Sequence, residues 1–416
     1  MGLLVSSGTA GRTRVAQLTV ARLIDVASVG HSWAGTRVLV RADLNAPLAD
    51  GTVTDEARIA ASVPTIRHLL DAGAAVAVCS HLGRPKGMVV AELSLSPCAE
   101  RLSDLLGQPA ELLPDCVGDA VNDRVAALEP GQVVVLENLR FHVGEEANDA
   151  GFAAQLASGF THYVNDAFGA AHRAHASTEG VARLLPACAG LLMAREVEVL
   201  TGLLDRPVSP FVAVLGGAKV SDKLPLIEHL LERCDRILIG GAMCFTFLAA
   251  LGDPVGKSLH EGPDAQRLAR GLLERSGRVN CTLQLPVDIL IADTFDASAD
   301  IEVVPSDAIP EWGIGVDIGP RTAAAYDEVI AAAKTVFWNG PMGAFEIPPF
   351  ADGTRAIANA MATTAAVTVA GGGDSGAALA QWGLEDQLTH CSTGGGAALE
   401  LLEGRALPGV AALPVA

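Results

Sequence analysis

The sequence predicts an α/β protein built on doubly wound parallel sheets, and three observations predict it. Short runs of Val, Leu, Ile, Ala and Phe alternate with Ala-rich helical stretches, in the strand, loop, helix, strand rhythm of such sheets. The rhythm restarts at Phe211. The chemistry-bearing segments also divide: Arg and His beside Gly and Pro fall before about residue 185, and Gly triplets, spaced lysines and a lone Asp fall after it.

Taken in order, Thr36–Arg41 reads as a short buried strand. Asp55 is placed to cap a helix running to about Asp71, with Gly73 as its stop and Pro64 expected to kink or break it. Ala74–Cys79 is the next strand and runs into His81-Leu-Gly-Arg-Pro. Strand-like runs recur at 132–136 and 161–164. Residues 183–209, with a helical run to Leu204, read as the junction. Beyond it, strands are expected at Phe211–Leu215, Arg236–Ile239, Leu283–Ile291, Thr335–Trp338 and Ala366–Ala370, with helices at Val220–Arg233 and Pro320–Lys334. Ligands of open parallel sheets bind outside the carboxyl ends of the strands, so loops placed there read as sites.

The 416 residues suffice for two or three domains. Half are hydrophobic and few aromatic, so the core is expected to be mainly Ala, Val, Leu and Ile. A net charge of −19 argues against nucleic acid and requires any anion site to be locally focused. The eight cysteines include no Cys-x-x-Cys and read as reduced, buried thiols. No apolar run approaches membrane-spanning length, so no membrane is expected. The first 24 residues carry Arg12, Arg14 and Arg22 without an acid. They hint at a targeting segment, and Gly2 with Ser6 fits a loose myristoylation pattern. The reading preferred is a ragged, disordered extension over 1–22.

Guanidinium groups suit a compact anion held by paired hydrogen bonds. Arg41, Arg58, Arg84, Arg140 and Arg173 fall at strand ends or helix starts of one predicted layer, although Arg58 also fits an ordinary first-turn charge. His81, His172 and His175 read as core histidines or metal ligands, and carboxylates at zinc-ligand spacing are lacking. Asp43 and Asn45 point the same way on an extended segment, suiting hydroxyls of a small ligand, unless Asp43 simply pairs with an arginine.

In the second half, Gly216–Lys223 ends a strand and opens a helix. Lys219 and Lys223 share a face there against the macrodipole, which argues for a bound phosphate over two solvated lysines. Gly371-Gly-Gly-Asp-Ser375 repeats the arrangement. Asp374 is either a helix cap or a ligand of Mg²⁺ beside nucleotide phosphates, and two neighbouring Gly-rich loops favour the metal. Ser392-Thr-Gly-Gly-Gly-Ala397 has more glycine than a cap requires and suits backbone contact with phosphate. Gly252–Ser258 resembles a P-loop but has three residues between its glycines where four are needed, so it reads as a plain loop. Together the two kinds of site imply a phosphoryl group moving between them. No Gly-x-Gly-x-x-Gly with a following acid supports a dinucleotide oxidoreductase.

These segments closely resemble the phosphoglycerate kinase family from about Arg37 to Pro414. The motifs, in the family's order, are Arg-Ala-Asp-Leu-Asn-Ala-Pro, Ser-His-Leu-Gly-Arg-Pro, Leu-Glu-Asn-Leu-Arg-Phe, Asn-Asp-Ala-Phe-Gly-Ala-Ala-His-Arg-Ala-His, Gly-Gly-Ala-Lys-Val-Ser-Asp-Lys, Trp-Asn-Gly-Pro-Met-Gly-Ala-Phe-Glu and Ser-Thr-Gly-Gly-Gly-Ala. The resemblance implies two Rossmann-like three-layer domains, each with a mainly parallel sheet, joined by a hinge. Residues 23–185, with 405–416 returning to them, would bind 3-phosphoglycerate or 1,3-bisphosphoglycerate. Residues 186–404 would bind Mg-ADP or Mg-ATP. Asp43 and Asn45 would contact the glycerate end, and Arg58, His81, Arg84, Arg140 and Arg173 its phosphate and carboxyl groups. Lys219 would reach the transferring phosphoryl group. Gly217, Lys223, Gly241, Asn339, Glu346, Gly372, Gly373, Asp374 and Ser375 would hold the nucleotide, with Glu346 on the ribose and Asp374 on Mg²⁺. Arg58, Lys219, Gly373 and Gly396 would serve the transfer itself. A cytoplasmic location is expected, and a monomer, because no self-pairing seam appears in the sequence. One departure is Ala242 in Gly240-Gly241-Ala242, where the family often has a third glycine, and its methyl is expected to crowd the adenine pocket.

Overall fold

The computed structural model describes residues 22–416, so the expectation for 1–22 lies, apart from Arg22, outside the described residues. Two six-stranded sheets, parallel throughout, organise the chain. The first contains β1 (Arg37–Arg41), β2 (Ala75–Cys79), β3 (Ala110–Leu112), β4 (Val133–Val135), β5 (His162–Asn165) and β6 (Ala187–Ala189), in the order β3-β4-β2-β1-β5-β6. The second begins with β7 (Phe211–Leu215), β8 (Arg236–Ile239) and β9 (Thr282–Gln284). Three further strands, β10 (Asp288–Ala292), β11 (Ile301–Pro305) and β12 (Ile314–Ile318), form a separate antiparallel sheet in the order β11-β10-β12. The second parallel sheet then resumes with β13 (Thr335–Asn339), β14 (Val367–Ala370) and β15 (His390–Cys391), giving β9-β8-β7-β13-β14-β15.

The strands read as continuous apolar runs because both faces are covered. Val38 and Val40 of β1 face one core cluster and Leu39 faces another. Phe211, Ala213 and Leu215 of β7 likewise face one cluster, with Val212 and Val214 in the opposite one. The cluster holding Leu39 also holds Phe211, together with Met193, Val197 and Leu200 of α2 (Leu191–Asp205), the helix between the two sheets. One apolar core therefore runs through the junction.

Two expectations are corrected. Helix α1 (Ala57–Asp71) continues through Pro64 without a break. Pro64 lies on its exposed side, where water can satisfy the carbonyl that a proline leaves unbonded. The single strand expected at Leu283–Ile291 is two strands in different sheets. Pro286 stands between them and offers no N–H to a ladder. The first sheet extends to Ala189, where β6 pairs with β5. The tail returns to this half: Val415 bridges Leu23, and Gly409 N donates to Ala171 O at 2.8 Å. Among the described residues no helix is long and apolar enough to cross a membrane. Of the eight free cysteines, all but the half-buried Cys391 are buried.

Candidate active site

The carboxyl ends of the first sheet's strands feed one pocket. Asp43 and Asn45 follow β1, Arg58 sits in the first turn of α1, His81 and Arg84 follow β2, Arg140 follows β4, and Arg173 follows β5. Together with Gly83, Gly169, His172 and Gly394–Gly396 they line a cavity of 260 Å³. Asp43 pairs with an arginine, its Oδ2 accepting from Arg58 Nη1 at 3.2 Å, and both residues line the cavity. Asn45 is oriented by Gly83, whose N–H donates to Asn45 Oδ1 at 2.9 Å. Arg140 is 5% exposed and Nη1 donates to Gly83 O at 2.7 Å. Its Nε lies 3.2 Å from Glu146 Oε1 without forming a hydrogen bond. Burial is the largest influence on Arg140 and lowers its pKa, with Glu146 opposing. Clustered guanidinium groups repel one another, and a bound anion relieves that cost.

Arg41 differs from the other arginines. It is 1% exposed and does not line the cavity; Nε donates to Ser177 Oγ at 2.8 Å and Nη1 to Ala42 O at 2.5 Å.

A second cavity, of 540 Å³, opens at the carboxyl ends of β7, β8 and β13. Gly217, Gly241, Glu346 and Asp374 line it, as does Ala242. Phe245, Leu259, Phe295 and Met342 supply apolar walls suited to a flat heteroaromatic ring. Ile314, Val316 and Asp317 come from β12, in the antiparallel sheet that the sequence did not disclose. Burial pushes the Asp317 carboxyl up to about 7, with the Gly353 and Ile318 N–H groups opposing.

The lysines part company. Lys219 is exposed just before α3 (Val220–Leu231), whereas Lys223 turns inward and Nζ donates to Asn339 O at 3.2 Å and to Asn339 Oδ1. Burial lowers the Lys223 pKa to about 8, with Asp374 and Asp222 opposing. Asn339 Nδ2 donates to Gly371 O at 2.6 Å, and Gly340 N donates to Ser375 Oγ at 2.7 Å. Lys223, Asn339 and Ser375 thus tie the Gly-rich loops together behind the cavity wall.

The start of α3 meets an anion from within the fold. Glu261 already supplies the anion, its Oε2 accepting from Val220 N at 2.6 Å and Ser221 N at 3.1 Å. Nothing in the local sequence signals a partner 41 residues away from Val220.

Two other helix starts are open. Neither α4 (Gly373–Trp382) nor α5 (Gly396–Leu402) has a side-chain cap, so Asp374 is not one. Gly372 has φ +96°, and a Cβ there would lie 2.5 Å from Asn339 Nδ2. A Cβ on Gly373 would meet nothing within 4 Å. The loop before α5 is held by Glu196 of α2, which is fully buried. It accepts from Thr393 N at 2.8 Å, Thr393 Oγ1 at 3.0 Å and His390 Nε2 at 2.8 Å. This anchor, like Gly83 and Gly169 in the smaller cavity, was not among the expected site residues, and His172, read as a core histidine or metal ligand, lines that cavity. Glu196 lies 197 residues from Thr393, so no spacing rule reaches it.

Comparison with known proteins agrees in sequence and in fold. The phosphoglycerate kinase family profile matches residues 29–405. The chain is 54% identical over 383 residues to the phosphoglycerate kinase of Roseiflexus castenholzii, covering 92% of this chain and 97% of that one. It is 52% identical over 386 residues to that of Chloroherpeton thalassium, with the same coverage. The solved phosphoglycerate kinase of Coxiella burnetii superposes with a TM-score of 0.86 at 41% identity, covering 94% of this chain and 98% of that one. That of Pyrococcus horikoshii OT3 gives 0.81 at 34% identity, covering 92% and 97%. The chain belongs to the phosphoglycerate kinase family and is a phosphotransferase of glycolysis.

Proposed function

We propose that this enzyme transfers the γ-phosphoryl group of ATP reversibly to the carboxylate of 3-phosphoglycerate, giving 1,3-bisphosphoglycerate and ADP. One observation carries the assignment of its sites. The arginine-lined cavity shares a wall with Gly394–Gly396 of the second half, while the larger cavity is lined by Asp374 at the neighbouring helix start. An acceptor in the first would therefore face a nucleotide in the second across uncapped helix N-termini.

The acceptor oxygen is ionised at neutral pH, so no general base is needed. The difficulty is bringing an anion to an anion, and catalysis rests on positioning and charge neutralisation. Arg58 and Lys219 would share the charge of the migrating group, with the N–H groups at Gly373 and Gly396 beside them. Asp43, Asn45, His81, Arg84, Arg140 and Arg173 would hold the glycerate substrate. Gly217, Gly241 and Glu346 would contact the nucleotide, backed by Lys223, Asn339, Gly372 and Ser375.

Asp374 suits Mg²⁺, since its carboxylate is exposed on the cavity wall and accepts no hydrogen bond from the described residues. Mg²⁺ takes one or two protein carboxylates and leaves its other positions to phosphates and water. Bound there, it would supply charge neutralisation on the nucleotide phosphates. The Ala242 methyl lies on the wall of an open 540 Å³ cavity, which supports nucleotide entry.

The reading extends to two domains that close about the junction helix α2, excluding water and suppressing ATP hydrolysis. It extends further to a cytoplasmic monomer. The test is turnover of 3-phosphoglycerate with Mg-ATP in a coupled assay, with a control lacking acceptor. ADP formation independent of 3-phosphoglycerate would refute it.

A further inference from the structure

The arginine-lined cavity contains two imidazoles whose protonation can be read from their neighbours. Arg41 Nη2 stands 3.1 Å from His81 Nδ1, and both residues are buried. A guanidinium carries only donors and stays charged at any working pH. The ring nitrogen facing it must therefore be the acceptor. The ring is then neutral, with its proton on Nε2, the nitrogen left for the cavity that His81 lines. His172 repeats the logic with the ring reversed. Arg173 Nε donates to His172 Nε2 at 3.1 Å, which leaves the proton on Nδ1. That Nδ1 is buried beside the Gly169 backbone.

We infer that Arg41 and Arg173 lock His81 and His172 as neutral imidazoles, so that the pocket holds its anion with arginine charge and the His81 N–H rather than with imidazolium. The inference rests on the substrate reading above for the identity of the anion, but not for the state of the rings.

The largest influences on both rings agree. Burial is the first cause lowering the His81 pKa well below the usual range, followed by the charges of Arg41, Arg140, Arg173 and His175. Burial and then Arg173 lower that of His172, with Glu400 and the Gly169 backbone opposing and His175 adding to the lowering. Arg41 keeps its own charge deep in the fold through a relay. Its Nε donates to Ser177 Oγ, and Glu145, fully buried, accepts from Ser177 Oγ at 2.6 Å and Ser177 N at 3.0 Å. Arg41 is thus a positioning residue acting through His81. A ring that gained a second proton would lose the Arg41 contact and face its charge, so the lock holds over the pH range in which an ordinary histidine titrates.

The experiment uses the intact protein labelled with ¹⁵N-histidine. Long-range proton–nitrogen spectra are recorded from about pH 5.5 to about 8, the window of an unperturbed imidazole. His81 is expected as the Nε2–H tautomer and His172 as the Nδ1–H tautomer, neither titrating. A doubly protonated ring at about pH 6.5, or the opposite tautomer, would overturn the inference. Arg41→Met removes the donor. His81 should then exchange between tautomers and titrate, and the Kd for 3-phosphoglycerate should rise about tenfold, the loss of one hydrogen bond to an anion. The Kd for Mg-ATP should be unchanged. Arg41→Gln, whose amide can still donate, should restore the Nε2–H form. An unaltered His81 ring in Arg41→Met would remove Arg41 from the device, and should that variant not fold, the wild-type spectra decide. Because the spectra need no substrate, a failed turnover assay and a failed lock remain distinguishable.

Discussion

Replacing Gly373 with alanine separates the ligand from the fold at the start of α4. A Cβ at this position has no atom within 4 Å, and the backbone is outside the left-handed region. The fold should therefore be indifferent, within roughly 0.5 kcal/mol, or gain slightly from alanine's helix propensity. A phosphate lying against the uncapped N–H groups is another matter. The new methyl would stand where an oxygen must approach, and a hydrogen bond to a charged group is worth about 1.5–3 kcal/mol. That corresponds to roughly a 10- to 100-fold fall in kcat/KM for ATP. Gly372→Ala is the internal contrast. Its φ of +96° and a Cβ 2.5 Å from Asn339 Nδ2 strain the fold itself, at a cost of about 1–3 kcal/mol. Thermal unfolding and steady-state kinetics on both variants give four numbers. Gly373→Ala with wild-type stability and wild-type kcat/KM would refute the claim that this backbone meets the nucleotide.

Arg58→Ala should lower kcat by about 100-fold or more, with a smaller change in the KM for ATP, because its charge matters most at the transition state; steady-state kinetics with both substrates varied will show it. Lys223, with a pKa of about 8, should take up roughly half a proton when nucleotide phosphates bind at that pH. Calorimetry in buffers of different ionisation heat measures the uptake, and Lys223→Met should abolish it. Asp317 has a folded pKa raised to about 7, so its contribution is full below the unfolded carboxylate range and is lost as pH rises through 7. Stability should fall on the order of 2 kcal/mol from about pH 5.5 to about 8 through this group alone. His81, His162 and His172 have lowered values and act in the opposite sense, costing stability as pH falls below about 6.5. Denaturant titrations of Asp317→Asn against the parent at both pH values isolate the carboxyl, whose slope should vanish in the variant.

The sequence by itself determined the parallel sheets and where their ligand-facing loops fall. Buried strands need unbroken runs such as Phe211–Leu215, and Gly-rich turns must follow them, so both are written locally. Asp43, Asn45, His81, Arg84, Arg140 and Arg173 were legible for the same reason, since each follows a strand end and the sheet order brings those ends together, whereas Arg58 enters from the first turn of α1. Tertiary structure alone decided what long-range pairing controls. Glu261 caps α3, Glu196 fastens the Thr393 loop, and β10–β12 build one wall of the larger cavity. It also separated Lys219 from Lys223, and drew Arg41 out of the anion cavity to stand behind His81. A spacing along the chain sets which face of an element a side chain leaves from, but burial and partners arise only when distant elements pack. The environment of a charge therefore cannot be read before the fold is closed.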